Sequence, residues 1–408
     1  MAEDKVKREI LVAGTGPTGM IAALGLARAG FSVALAGPVP RSDDRRTTAL
    51  MRPALNYLDM LGVLARVAEE AAPLAVMRII DATARLVRSP VVTFRASEID
   101  EAAFGLNIRN TVLNKALEAA IAEQPAIDWR RSAVAAWEIG ETSVVAVLED
   151  GTRIEAPLAV AADGRDSPAR EAAGIRTSRR MHRQSALVLN FGHTRDHAST
   201  STEFHTETGP FTQVPLPGKR SSLVWVVRPE QADELAALDD ATLAQRIEEK
   251  MQSMLGRVTV EPGRQVYPLS SLLPHRYAKG RVALVGEAAH VFPPIGAQGL
   301  NLSIRDVEDI VRTAAEHRTD PGSSSALAAY DRRRRPDILA RSTAVELFNR
   351  SLLSDMLPAQ MARSLGLSIL KALSPVRGFF MREGMQPGSG FARAVSRLRE
   401  QALPSRQD

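Results

Sequence analysis

The loop Gly14-Thr15-Gly16-Pro17-Thr18-Gly19 carries three glycines at the spacing Gly-x-Gly-x-x-Gly. In such a turn the first glycine permits the bend, and the second lets the backbone approach a pyrophosphate. The third packs the following helix against the preceding strand. The helix start then offers free N–H groups and the positive end of its dipole to the phosphates. Two more polar segments each follow an apolar run. One is Asp163-Gly164-Arg165-Asp166-Ser167 with Arg170; the other is Gly286-Glu287-Ala288-Ala289-His290, leading through Pro293-Pro294-Ile295-Gly296-Ala297-Gln298 to Gly299-Leu300-Asn301.

Other chemistries are excluded by what the chain lacks. With no cysteine, a disulfide scaffold, a Cys-ligated zinc or iron–sulfur site and a thiol nucleophile are ruled out. No His-Glu-x-x-His occurs among the seven histidines. His193 and His197 lie four apart, but in a strand-and-loop pattern that does not align them as metal ligands, so they read as surface or structural histidines. Gly218-Lys219 lacks the Ser/Thr and the spacing of a P-loop, and there is no Gly-x-Ser-x-Gly elbow.

The elements that must position these segments can be read from the apolar pattern. Ile10–Ala13 is a continuous apolar run, as a parallel strand buried on both faces requires. An Ala/Leu-rich helix to about Ala29 follows, stopped by Gly30, and Phe31–Leu35 makes the next strand, a βαβ opening. The patterning predicts helices over 53–72, 111–123 and 231–254. It predicts a hairpin of Ser143–Leu148 and Thr152–Ile154 about an Asp150-Gly151 turn. Buried strands follow at Ala156–Ala162 and Val282–Val285, with alternating strands from about 185 to 228 that include a Pro217-Gly218 turn. From 301 onward helices prevail, broken at Pro321-Gly322, Pro336, Pro358 and Pro375.

A length of 408 residues, 45% hydrophobic and 24% charged, is an ordinary globular mixture with room for two or three domains. Residues 1–78, 100–175 and 265–350 read as one discontinuous nucleotide-binding domain, and 79–99 with 176–264 as an inserted sheet domain. Residues 351–408 read as a helical tail. Met1–Arg8 is mixed-charge without a signal-peptide core, and no run is long and apolar enough to span a bilayer, so the chain reads as cytoplasmic. Nine Lys/Arg against four Asp/Glu in 350–408 account for the whole net charge of +5. With 4% aromatics and no base-stacking surface, nucleic acid is not the expected partner. An apolar series (Leu352, Leu353, Met356, Leu357, Met361, Leu365, Ile369, Leu370, Leu373) interleaved with Arg363, Lys371, Arg377 and Arg382 points instead to an anionic membrane surface, reached peripherally from its inner face. Part of that tail is expected to pack on the nucleotide domain. The Arg332–Arg335 run reads as a solvated helix face, with a lipid-phosphate anchor as the alternative.

The three polar segments in this order resemble the flavin-dependent aromatic hydroxylases typified by para-hydroxybenzoate hydroxylase. The resemblance implies an α/β fold: a Rossmann-like FAD-binding domain, an inserted, mostly antiparallel substrate-binding sheet, and C-terminal helices. It is closer still to the ubiquinone-biosynthesis hydroxylases, over nearly the whole chain. The segments that carry it are Arg46-Thr47-Thr48-Ala49-Leu50, Asn110, Glu203-Phe204 through Gly209-Pro210, Val214-Pro215-Leu216, Ser222–Trp225, Tyr267-Pro268-Leu269 and Leu347-Phe348 through Leu367. The resemblance implies FAD held by Gly14, Gly16, Thr18, Gly19, Arg46, Asn110, Asp163, Glu287, Gly299, Leu300 and Asn301. The helix starting near Gly299 would aim N–H groups at the flavin's pyrimidine edge, where reduction places negative charge. Gly296 and Gly299 would let the backbone approach the ring, and His290 would shape the loop. Pro294 would face the substrate. Trp225 and Phe211 serve equally as sheet core or pocket lining, and Tyr267 either lines the aromatic pocket or packs.

The implied reaction hydroxylates the ring of a polyprenylated phenol through a flavin hydroperoxide, with NAD(P)H as electron donor and O2 as co-substrate, and no protein nucleophile. A ubiquinone-biosynthesis complex is the implied assembly. Two positions depart from the pattern. Ala36-Gly37-Pro38 stands where an acidic residue usually holds the adenosine ribose, with Asp43, Asp44, Arg45 and Arg46 as substitutes nearby. Glu287 stands where the family carries Asp, adding roughly 1.5 Å of reach. Two competing readings use other features: a hydroxylase of a soluble aromatic compound, against which the basic tail counts, and a flavin-poor scaffold or lipid-presenting subunit, which the two departures would suit.

Overall fold

The computed structural model describes residues 5–84, 88–294, 298–353 and scattered positions between 366 and 381. The fold is mixed α/β. A six-stranded sheet has the order Ala278–Lys279, Val282–Leu284, Leu158–Ala161, Ile10–Ala13, Val33–Ala36, Ile127–Arg130. All its neighbours run parallel except the edge pair Ala278–Lys279 with Val282–Leu284. In register, Leu158, Ile10 and Val33 lie side by side. Every residue of the three central strands is buried, which is why they read as unbroken apolar runs.

A larger sheet orders Val258–Val260, Thr177–His193, Arg220–Val227, Pro210–Leu216, Thr200–His205, Val76–Asp81 and Val92–Arg95, with Gln265–Pro274 also paired to Thr177–His193. It is antiparallel apart from the parallel pair Val76–Asp81 with Thr200–His205. Helices Pro229–Ala237 and Asp240–Lys250 cover one face, closing a core with Leu187, Leu189, Phe191, Leu223 and Val227. A small sheet of Thr47–Met51, Gly105–Arg109 and Ala71–Leu74 lies beside it.

Three expectations are corrected. The 53–72 helix is two short helices, Arg52–Met60 and Leu64–Val67, a 3-10 turn, and then the strand Ala71–Leu74. Gly62 at φ +73 stops the first helix, and pairing with Gly105–Arg109 outweighs the helical propensity of the two alanines. The 231–254 helix divides at Asp239, whose carboxylate accepts from Thr242 N at 2.9 Å and caps a second helix. Pro336 does not break its helix, which runs Ser324–Leu353 through it. An interior proline costs about 3 kcal/mol. Anchors on the same helix offset that cost: fully buried Tyr330, whose OH donates to Leu284 O at 2.7 Å, and buried Arg334 in an ion-pair cluster.

In the tail, Arg377 pairs with Glu98 at 2.6 Å, and Met381 packs with Ala96, Ile99 and Phe104. This stretch therefore docks on the 96–104 segment. Met356, Leu357, Met361, Leu365, Ile369, Leu370, Arg363 and Arg382, with Pro358 and Pro375, lie outside the described residues. Among the described residues no helix is long and apolar enough to cross a membrane.

Candidate active site

The first polar segment sits where the strand Ile10–Ala13 hands over to the helix Pro17–Arg28, with Gly16 as N-cap and no side chain capping it. A Cβ on Gly14 (φ +105) would lie 2.3 Å from Ala162 O, and one on Gly19 would lie 1.9 Å from Gly14 O. A Cβ on Gly16 would meet nothing within 4 Å. The loop is thus closed by backbone on the sheet side and open at Gly16, above unsatisfied helix N–H groups. Thr18 packs against Gly286, where a Cβ would come 2.9 Å from its Cγ2. The first and third segments therefore touch.

Asp163 follows the strand Leu158–Ala161. Its Oδ2 accepts from Ala169 N at 3.0 Å, while its Oδ1 is buried with no partner. Burial pushes the carboxyl above the usual range, against the opposing influence of the nearby Ser167 hydroxyl and the Ala169 hydrogen bond. A buried acceptor left open beside the glycine loop suits a hydroxyl donor on a bound molecule. Arg170 ties the second segment to the third, donating to Arg165 O at 2.8 Å and to Ala288 O at 2.9 Å.

The third segment is held by a residue that sequence reading missed. Asp306, fully buried on the helix Gln298–Glu316, accepts from Gly286 N at 2.9 Å and lies 2.7 Å from His290 Nε2 through one oxygen. Its other oxygen accepts from Arg334 Nε at 2.9 Å. Arg334 also reaches Asp309 and Asp337. Burial works against the guanidinium's charge, but Asp306 and its neighbours raise its pKa overall. The helical spacing of Asp306 and Asp309 offered a faint signal; nothing local tied Arg334 to them. This corrects the solvated reading of the Arg332–Arg335 run at Arg334, which is 2% exposed; Arg333 pairs with Glu316 at the surface, and Arg332 and Arg335 are exposed.

Glu287 is half-exposed, with Arg165 Nε 3.5 Å away. Gly299 has open space where a Cβ would stand. Leu300 is partly buried against the main core, and Pro294 is exposed. Ile295, Gly296 and Ala297 lie outside the described residues. Asn301 Oδ1 accepts from Met51 N at 2.8 Å and its Nδ2 donates to Ala49 O at 2.7 Å. Its side chain thus fastens the helix start to the strand Thr47–Met51.

Arg46 and Asn110 converge on one carboxylate. Arg46 binds Asp44 through two nitrogens at 2.9 and 2.8 Å, and Asn110 Nδ2 donates to Asp44 at 3.0 Å. Thr48 in turn donates to Asn110 Oδ1 at 2.6 Å. Burial pushes the Asp44 carboxyl up, yet the Arg46 and Asn110 hydrogen bonds outweigh it and hold its pKa below the usual range. The pair's contribution is therefore present above the unfolded carboxylate's titration and is lost as pH falls through the folded value. Asp43 pairs instead with Arg41. Gly37 is explained by its neighbours: at φ +149, a Cβ there would lie 2.8 Å from Thr15 Oγ1. An acidic side chain has no room. Asp44→Asn should weaken cofactor binding on the order of tenfold, since the bidentate charged bond is lost; a fluorescence titration that shows wild-type affinity would contradict this.

Arg46 also lies over the Tyr267 ring, 5.5 Å from its centroid. With Thr47–Ser222 at 2.9 Å and Asn190 Nδ2 to Arg45 O at 3.1 Å, this seats the 45–48 segment on one face of the large sheet. Register places Ala186, Tyr267 and Val226 on that face, with Val188 and Val224 beside them. Trp225 and Phe211, in register with Leu187, occupy the opposite face. They stack edge-on at 5.1 Å within the core under the two helices. Of their two open readings, the structure takes core, because a strand alternates its side chains between faces. Val188, Val224 and Thr212, whose buried Oγ1 has no partner, are the near-face residues that sequence reading passed over. The ring nitrogens of His193 and His197 each lie within hydrogen-bond distance of protein groups: Arg195 O and Ser221 Oγ, and Ser199 N and Leu216 O.

Three comparisons bear on this geometry. Residues 7–342 match the family model described as FAD binding domain. The chain is 33% identical to the ubiquinone hydroxylase UbiL of Rhodospirillum rubrum, over 94% of this chain and 90% of that protein. It is 30% identical to 3-demethoxyubiquinol 3-hydroxylase of Escherichia coli, over 88% and 93%. The crystal structure of p-nitrophenol 4-monooxygenase PnpA from Pseudomonas putida superposes with a TM-score of 0.76 at 19% identity, covering 95% of this chain and 98% of that one. The open glycine loop, the unpartnered Asp163 oxygen and the clear space at Gly299 agree with that match: this chain belongs to the FAD binding domain family.

Proposed function

We propose that the protein is an FAD-dependent monooxygenase that hydroxylates the ring of a polyprenylated phenol in ubiquinone biosynthesis. The observation that carries this reading is near-full-length similarity to two hydroxylases whose names specify ubiquinone or its precursor, joined to three polar segments that meet around one open glycine loop. Bound FAD supplies the redox chemistry: two electrons from NAD(P)H, one atom of O2 to the ring as hydroxyl, and the other released as water.

The chain's own groups bind, orient and exclude water. Gly14, Gly16, Thr18 and Gly19 would cradle the pyrophosphate, and Asp163 Oδ1 would accept from a cofactor hydroxyl. Arg46 and Asn110, fixed by Asp44, would border the cofactor on its other side, and Glu287 would reach its polar chain. Gly299 and Leu300 would present N–H groups at the helix start, where developing negative charge is stabilised. Asn301 would act through the strand it anchors. Tyr267 with Val188 and Val224 would form the substrate wall opposite Pro294. A membrane-borne substrate would bring the protein peripherally to the inner face of the membrane, and a quinone-biosynthesis complex would be its setting. The test is turnover: with FAD, NAD(P)H and O2, a polyprenylated phenol should gain one hydroxyl per NAD(P)H consumed. Hydroxylation of soluble phenols alone would move the assignment to a soluble aromatic substrate.

A further inference from the structure

We infer that a basic groove beside the edge strand Ala278–Lys279 seats the protein on an anionic lipid surface. Two adjoining cavities of about 390 and 280 Å³ share Arg276 and Lys279. The helix Ser324–Leu353 contributes Arg332 and Arg335 to the first, and the 174–176 loop contributes Arg176 to the second, with His275 beside it. Arg332 and Arg335 are three apart and share a helix face, whereas Arg334 turns inward to Asp306 and Arg333 pairs with exposed Glu316. The arginine run is therefore split between an internal clamp and an external surface.

Arg176, Arg276 and Arg332 are exposed and make no ion pair among the described residues. Lys279 donates to Gly174 O at 3.1 Å, leaving its charge uncompensated. The acids here are already matched, Asp331 with Arg335 and Asp166 with Arg179.

The basic band continues along the ribbon where Thr177–Met181 pairs with Ser270–Pro274. There Arg179, Arg180 and His182 line a cavity of about 170 Å³ together with Phe292 and Pro293. The same ribbon holds the loop leading to Pro294 through the Leu272–Val291 bridge. Next to Arg180 on that ribbon Met181 is 59% exposed, and Leu339, one helical turn from Arg335 and from Ser342 of this cavity's lining, is 47% exposed. Cations spread along an open face beside bare apolar side chains fit a lipid surface, whose charge is extended and whose interior accepts Met and Leu. A single phosphate would instead be gripped by convergent, buried donors.

The inference bears on the proposed substrate, because a phenol with a long apolar chain resides in a bilayer and this surface would bring the Pro293–Pro294 loop to it. The test needs no turnover, so its failure and the failure of the proposed reaction are separately visible. Full-length protein is sedimented with vesicles of phosphatidylglycerol and phosphatidylcholine, or of phosphatidylcholine alone. Binding is expected to the anionic vesicles only, and to fall steeply between about 50 and about 500 mM salt. Each cation near such a surface raises partitioning roughly fivefold. The triple variant Arg176→Glu, Arg276→Glu, Arg332→Glu should therefore lose at least about a hundredfold, with unchanged circular dichroism. A variant of equal net charge, Arg393→Glu, Arg397→Glu, Arg399→Glu, should keep most binding. Wild-type binding by the groove variant overturns the inference, as does loss confined to the tail variant. Release by inorganic phosphate at matched ionic strength also overturns it, since that would mark a small phosphate site.

Discussion

Asp306→Asn should weaken FAD binding at least tenfold and destabilise the protein by about 3 kcal/mol, although Asp306 lies behind the cofactor loop rather than in it. Its two oxygens face three donors or cations: Gly286 N–H, His290 and Arg334. An asparagine amide must turn its NH2 toward one side, donor against donor. It also leaves Arg334 buried, with Asp309 and Asp337 as its remaining acids. Removing one partner from a buried charged cluster typically costs 3–5 kcal/mol or so. The Gly286 turn then loosens, and with it Glu287 and the contact between Gly286 and Thr18. Thermal unfolding should shift downward by several degrees, and the flavin fluorescence titration should move to higher FAD. A variant that melts and binds FAD like the wild type would contradict the proposed role of Asp306.

Trp225→Ala is expected to destabilise by about 3–5 kcal/mol, the usual range for emptying a large buried aromatic site, and to leave KM for the aromatic substrate unchanged. Val224→Phe, one residue away, should do the opposite: a modest stability effect with KM raised on the order of tenfold. The contrast follows from the period of a strand. Trp225 stacks on Phe211 beneath the helices, whereas Val224 lies on the sheet face that carries Tyr267, over whose ring Arg46 sits. Trp225→Phe offers the same contrast with a smaller cavity if the alanine variant unfolds. A rise in KM for either Trp225 variant at unchanged melting temperature would place the indole at the substrate and reverse the face assignment.

What the sequence made legible was local. The βαβ opening, the glycine loop and the two later polar segments are contiguous, and their apolar runs and turn residues are set by short-range sterics. The inserted antiparallel sheet was legible from alternation, but not the face each residue takes, since that depends on register with strands far along the chain. This is why Trp225 and Phe211 stayed open between core and pocket. Asp306 and Arg334 were illegible for a related reason: charged residues on helices are ordinarily solvated, and only the packing of two helices against the Gly286 turn makes them a buried cluster. Gly37 looked like a missing acid. Its cause, the crowding of Thr15 against it, lies in a different segment of the chain. Pro336 reads as a break by propensity, and tertiary anchors at Tyr330 and Arg334 override it.

The central claim is that the three polar segments form one FAD site in spite of Gly37 and Glu287. The visible absorbance spectrum of the purified protein, before and after addition of FAD, tests it most directly. An oxidised-flavin spectrum retained through gel filtration, as isolated or after reconstitution, is the predicted result. A folded protein that stays colourless and retains no added FAD would contradict the account and favour a scaffold or lipid-presenting role instead.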